Sequence, residues 1–186
     1  ALKEFEKARR EEPDKYEAWK FSSECMQKLE DREGLKNLYT EAKVVHPKKD
    51  RAWLHTLIVK DIAELNSNLR PEHETLALYL QKDPENAILR YALASALETA
   101  GDRSGAYKSF EVAASSDYPH IQANAWFRMA LLVPLDQQNQ LLKQCLKYQP
   151  SHQGAINLLK NNSQTAKLSI QESRKNTEKM KTNPNS

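Results

Sequence analysis

The sequence predicts an all-α chain made of antiparallel helix pairs stacked one on the next. Three observations predict it. With four glycines in 186 residues, Leu and Ala dominant, and Val and Ile scarce, sandwiches, barrels and doubly wound sheets are disfavoured. Pro13 and Pro47 stand 34 residues apart, as do Trp19 and Trp53, so each Trp follows its Pro by six residues. A unit of helix, tight turn, helix and proline stop generates that spacing and predicts equivalent settings for the two indoles. Helical apolar stripes such as Leu76-x3-Leu80 and Leu142-x3-Leu146 supply the third.

Residues 1–13 read as one helix, Ala1-x3-Phe5-x2-Ala8, stopped by Pro13. A helix pair over about 16–47 carries Trp19, then Tyr39 and Ala42 before Pro47. The pair over 50–84 is longer, because Asn66-Ser67-Asn68 and Pro71 stretch its turn and start the second helix near Glu72. Over 87–119, Leu93, Ala94 and Leu97 face Ala106, Phe110 and Ala113 across a turn at Gly101. Small residues there let two helices approach while large ones fill the gaps. A pair over 123–150 holds Trp126, Met129 and Ala130, turns at Pro134-Leu135-Asp136 and stops at Pro150. Ser151 is placed to cap a last helix over 151–160. Residues 161–186 carry few apolar groups and no aromatics, so they read as a disordered tail, with a lone solvated helix as the alternative.

The spacing and residue pattern resemble the tetratricopeptide repeat, W-x2-L-G-x2-Y followed by A-x3-F-x2-A-x4-P. Ala87 to Pro119 is the clearest copy, with Arg90 in the Trp slot. In the copy from Tyr16 to Pro47, Ser22-Ser23 replaces Leu-Gly and Leu35 replaces the first Ala of the second helix. The resemblance covers about residues 1–160 and implies a right-handed superhelical solenoid of antiparallel helix pairs. Residues 1–13 match only the second half of a repeat, which suggests further repeats upstream in a longer chain, with a lone capping helix over residues 1–12 as the alternative.

The motifs of catalysis are missing from the sequence: there is no HExxH, GxSxG, glycine-rich phosphate loop or EF-hand loop. The five histidines are scattered, and Cys25 and Cys145 make no metal or redox motif. The expectation is a non-enzyme with no cofactor, no metal and no small-molecule substrate. Residues 161–186 hold five basic and two acidic side chains, leaving 23 of each in residues 1–160. A neutral body gives no basic face for nucleic acid, which is not expected as a partner. No apolar run approaches a membrane span, no signal peptide is visible, and free thiols fit a reducing compartment, so a cytoplasmic setting is expected.

The tetratricopeptide resemblance implies a concave groove lined by the first helix of each pair, holding a peptide or helix of another protein. By register the groove residues are Lys20, Glu24 and Gln27, then Arg51, Leu54, Ile58 and Asp61. They continue with Ile88, Tyr91, Ser95 and Glu98, then Asn124, Phe127 and Leu131. Leu54, Ile58, Ile88, Tyr91, Phe127 and Leu131 would form an apolar strip rimmed by charge. The carboxylate clamp of chaperone-binding members is not met: Lys20 fits, but Glu24, His55, Ile88 and Tyr91 occupy the other slots. The leading function is therefore a protein–protein interaction scaffold, with self-association as a further possibility. Trp19, Trp53 and Leu38-Tyr39-x-Glu41-Ala42 also resemble half-a-TPR repeats of RNA-processing assemblies. A regulatory or substrate-selecting domain of a larger enzyme is the third reading.

Overall fold

The computed structural model describes residues 1–46 and 52–182. Among them the chain forms ten helices: α1 (Leu2–Glu11), α2 (Tyr16–Lys28), α3 (Arg32–Val45), α4 (Ala52–Leu65) and α5 (Glu72–Lys82), then α6 (Ala87–Thr99), α7 (Arg103–Ala113), α8 (Pro119–Leu132), α9 (Leu135–Tyr148) and α10 (Gln153–Thr182). Short turns reverse the chain between α2 and α3, α6 and α7, and α8 and α9, so these pairs are antiparallel hairpins. A longer turn over 66–71 does the same for α4 and α5. Two layers result. The first helices α2, α4, α6 and α8 touch in succession, and each second helix packs against the first helix of the following pair. A single hairpin cannot cover its own apolar stripe, so this stacking is what buries it.

Three clusters form the core. Trp19, Leu35, Leu54, Ile58 and Leu76 centre the first, with Phe110, Ala113 and Met129 in the second and Ala130, Leu142 and Cys145 in the third. Leu97 packs on both the first and second, and Trp126 on both the second and third, so burial runs along the array without a single centre. The small residues act as their positions require. Ala94, Ala106 and Ala113 are fully buried around Phe110, whose burial contributes about 2–3 kcal/mol.

Two turns are built alike, 71 residues apart: Glu30-Asp31-Arg32-Glu33-Gly34 and Gly101-Asp102-Arg103-Ser104-Gly105. Glu30 (φ 55°) and Gly101 (φ 87°) take the left-handed conformation that ends α2 and α6. The Asp31 and Asp102 amides then donate to the carbonyls of Met26 and Leu97, both at 2.9 Å. Each Asp side chain caps the next helix by accepting from the Gly34 or Gly105 amide at 2.8 Å. A Cβ at either glycine would fall 2.2 Å from the capping carboxylate, which is why glycine stands there. The arginine that follows reaches the next hairpin. Arg32 donates to Leu65 O and Asn66 Oδ1, both at 3.2 Å, and Arg103 to Leu132 O at 3.2 Å. Both place a cation at the carbonyl end of the neighbouring first helix, where the macrodipole favours it.

The equivalence expected of Trp19 and Trp53 is not found. Trp19 is fully buried, and its indole donates to Pro13 O at 2.7 Å. Trp53 is half-buried and meets Tyr16 edge-on at 3.8 Å. The setting of Trp19 recurs instead at Arg90, whose guanidinium donates to Pro84 O at 2.9 Å, again six residues back. Helix α8 starts at Pro119, four residues ahead of the expected Ala123, because proline fits the first turn of a helix as well as it stops one. Helix α10 runs unbroken across 160 and 161, and Asn162 is buried against Gln138 and Asn139 of α9.

Candidate partner-binding surface

The first-helix layer carries the groove residues expected from the register, and it divides them. Leu54 and Ile58 are 1% and 0% exposed, within the first core cluster. This corrects the expected apolar strip: α4 is packed between α2, α3, α5 and α6, so these two side chains belong to the core. Arg51 lies outside the described residues. The remaining positions are at least partly accessible.

On α2, Lys20 and Glu24 pair at 3.8 Å, one turn apart, and Gln27 is half-buried. Ser23 Oγ lies 2.5 Å from Asp61 Oδ2, linking α2 to α4. Burial pushes the Asp61 carboxyl up, Glu64 and Glu24 add to this, and the Ser23 hydrogen bond opposes it. This end of the layer is polar and self-paired.

The structure brings the α6 and α8 positions together. Tyr91 packs edge-on against Phe110 at 5.3 Å, and Ile88 is half-buried on the same cluster. Ser95 donates back to Tyr91 O at 3.1 Å. One turn on, Glu98 Oε2 accepts from Arg128 Nε at 2.9 Å and from its terminal nitrogen at 2.5 Å, tying α6 to α8. Leu131, one turn past Arg128, is 40% exposed. Asn124 lies 3.4 Å from His152 Nε2, and Phe127 lies against the His152 ring at 4.6 Å. A Cβ at Gly154 would stand 2.9 Å from Phe127 Cζ, so the start of α10 presses on that ring and leaves Phe127 only half exposed. The accessible face is therefore Ser95, Glu98, Arg128 and Leu131, flanked by Tyr91 and Asn124. Sequence reasoning passed over Arg128, although its place one turn after Asn124 puts it on the same helix face.

A second polar centre supports the layer from behind. The Asp83 carboxylate meets Lys43 Nζ at 2.9 Å, His55 Nδ1 at 3.5 Å and Asn86 Nδ2 at 3.1 Å. Asn86 also caps α6 through Leu89 N and donates to Ala52 O of α4. Burial alone would raise the Asp83 carboxyl, but these hydrogen bonds and the Lys43 charge outweigh it and hold it at about 2. Lys43 of α3 and His55 of α4 thus converge on Asp83 and Asn86 in the turn between α5 and α6, which is a structural role.

Among the described residues, no three His, Cys, Asp or Glu side chains are grouped to hold a metal ion. Burial pushes the Cys145 thiol up to about 11, the opposite of what a nucleophile needs. No helix among the described residues is long and apolar enough to cross a membrane.

No protein-family model matches the chain, and no curated protein does. Among solved structures, the crystal structure of YrrB, "a TPR protein with an unusual peptide-binding site", is 14% identical with a TM-score of 0.46, over 86% of this chain and 100% of that one. The crystal structure of MamA is 12% identical with a TM-score of 0.42, over 88% and 89%. The fold assignment rests on the packing itself: successive two-helix layers, small residues at the crossings, and the indole and guanidinium bonds to Pro13 and Pro84. The architecture is tetratricopeptide-like. Its first-helix layer presents few exposed apolar side chains and an ion pair between Glu98 of α6 and Arg128 of α8.

Proposed function

We propose that the protein is a non-enzymatic scaffold that holds a peptide or helix of a partner protein against its first-helix layer, at α6 and α8. The observation that carries this reading is the contiguous accessible face of Ser95, Glu98, Arg128 and Leu131 across two helices. An aliphatic anchor beside paired charges suits a partner segment that inserts one apolar side chain and exchanges hydrogen bonds around it. The face is pre-formed, since Tyr91 and Phe127 are packed from below, so little ordering cost falls on the scaffold when it binds.

A photo-crosslinking residue placed at Ser95 or Leu131, compared with one at the exposed Val112 of α7, tests this. Partner adducts are expected from the first two positions and not from Val112. The variant pair Leu131→Arg and Glu98→Lys should abolish those adducts while leaving the circular dichroism spectrum unchanged. Adducts of equal yield from Val112, or retained in both variants, would remove the reading.

A further inference from the structure

A cleft of about 540 Å³ opens on the other side of the array, between α3 and α5, and nothing described so far uses it. Its origin is the longer turn over 66–71. Each second helix packs against the following first helix, so α3 and α5 lean on α4 between them. They meet at the base through Tyr39 and Tyr79, whose rings are 4.7 Å apart, and at one end through Lys43 and Asp83. Toward the other end the extra turn residues hold them apart, and Leu69 and Leu78 border the gap at 75% and 41% exposed. Two exposed leucines beside buried Ile62 and the tyrosine rings are an apolar floor and lip of a kind that marks an interaction site.

The charge of the lining is one-sided. Lys36, Arg70 and Lys82 line the cleft, and no carboxylate does. Asp83, next to Lys82, is already paired with Lys43, while Glu33 and Glu74 pair with Lys36 and Arg70 at 3.5 and 3.8 Å as exposed neighbours three or four residues apart. Such pairs are weak and exchange readily for a better-placed carboxylate. Lys82 has its ammonium 4.7 Å from the Tyr79 ring. Arg70 stands two residues before α5 and Lys82 ends it, and the 11-residue helix between them is about 16 Å long. An extended chain covers that length in about five residues.

We propose that this cleft binds a short acidic segment of a partner protein, in extended form, with carboxylates about five residues apart and aliphatic side chains between them. The aliphatic groups lie on Leu69, Leu78 and Tyr79, and the carboxylates reach Arg70 and Lys82, with Lys36 facing the middle. The site is separate from the α6–α8 face and stands whether or not that face binds a partner.

The test uses the whole 186-residue chain and a fluorescein-labelled peptide with two glutamates flanking a leucine-rich step, read by fluorescence anisotropy. The same peptide with lysine for glutamate and a short oligouridine are the comparison probes. Saturable binding of the acidic peptide is expected. It should weaken about tenfold or more in Lys36→Glu/Lys82→Glu and in Leu78→Ser, and should be unchanged in Leu131→Arg. Circular dichroism checks each fold, and because all three substituted side chains of the cleft variants are exposed, either variant decides the matter alone. The proposal fails if the acidic peptide shows no saturation up to about 1 mM, or if the lysine peptide binds equally well. It also fails if either cleft variant binds as the parent does. Tighter binding of the oligouridine at the same residues would replace the peptide assignment with a nucleic-acid one.

Discussion

Replacing Asp83 with Asn removes the charge at the junction of α3, α4 and α5 while keeping a side chain of the same shape. The carboxyl stands at about 2 against its ordinary 3.8, because hydrogen bonds from His55, Lys43 and Asn86 overcome the burial that would raise it. A carboxyl lowered on folding stabilises the protein fully above its unfolded value and loses that contribution as pH falls through its folded value. The window is therefore from about pH 4 down to about pH 2. At about 1.4 kcal/mol per pH unit the interval amounts to about 2 kcal/mol. The Asp83 and Lys43 side chains are 15% and 29% exposed, so solvent screening reduces this to about 1 kcal/mol. Urea unfolding of the parent and Asp83→Asn across the acid range is the assay. The parent should be more stable by about 1 kcal/mol at neutral pH, with the gap steady to about pH 4 and closed near pH 2. A gap that persists unchanged through the acid range, or none at neutral pH, would refute the reasoning.

The paired turns make opposite substitutions informative. Glu30→Gly should raise stability by about 0.5–1 kcal/mol, because it relieves a left-handed side-chain-bearing residue. Gly101→Ala should lower it by about 1 kcal/mol through backbone strain alone, since a Cβ there meets nothing within 4 Å. Scanning calorimetry reads both. Thiol labelling of the native chain should stop at one group, the half-buried Cys25, since Cys145 is buried and its thiol stands at about 11. In urea both should react, and rapid labelling of Cys145 in the native state would contradict its place in the third cluster.

Much of the fold was legible because the signals were local. Prolines, the Gly101 turn and the Ala94, Ala106 and Ala113 crossings each act within one hairpin, and the structure buries those alanines as the pattern requires. The site was less legible because exposure depends on neighbours. Leu54 and Ile58 occupy groove register, yet α2, α3, α5 and α6 all pack on α4, and a stripe in one helix does not reveal how many neighbours cover it. Phe127 also falls in groove register, and α10 presses on its ring for the same reason. Trp53 shares the proline spacing of Trp19 but meets Tyr16, a contact between hairpins that repeat spacing does not encode. The Asp-Arg-x-Gly turns were visible as a recurrence 71 residues apart, but their interval is not one repeat length and so escapes a search for a 34-residue period. The polar composition past residue 160 makes a helix there only the second reading from sequence, while helix formation starts from a segment already packed on α9.

Burial passes from each helix pair to the next with no single centre. Native-state hydrogen exchange of Leu142→Ala tests this most directly. The substitution leaves a cavity in the third cluster at a cost of about 2–5 kcal/mol. The expected result is faster exchange in α8, α9 and the start of α10, with the amides of α2 to α5 as protected as in the parent. Equal loss of protection in α2 to α5 would mean one cooperative core, and the stacked-layer account would be wrong.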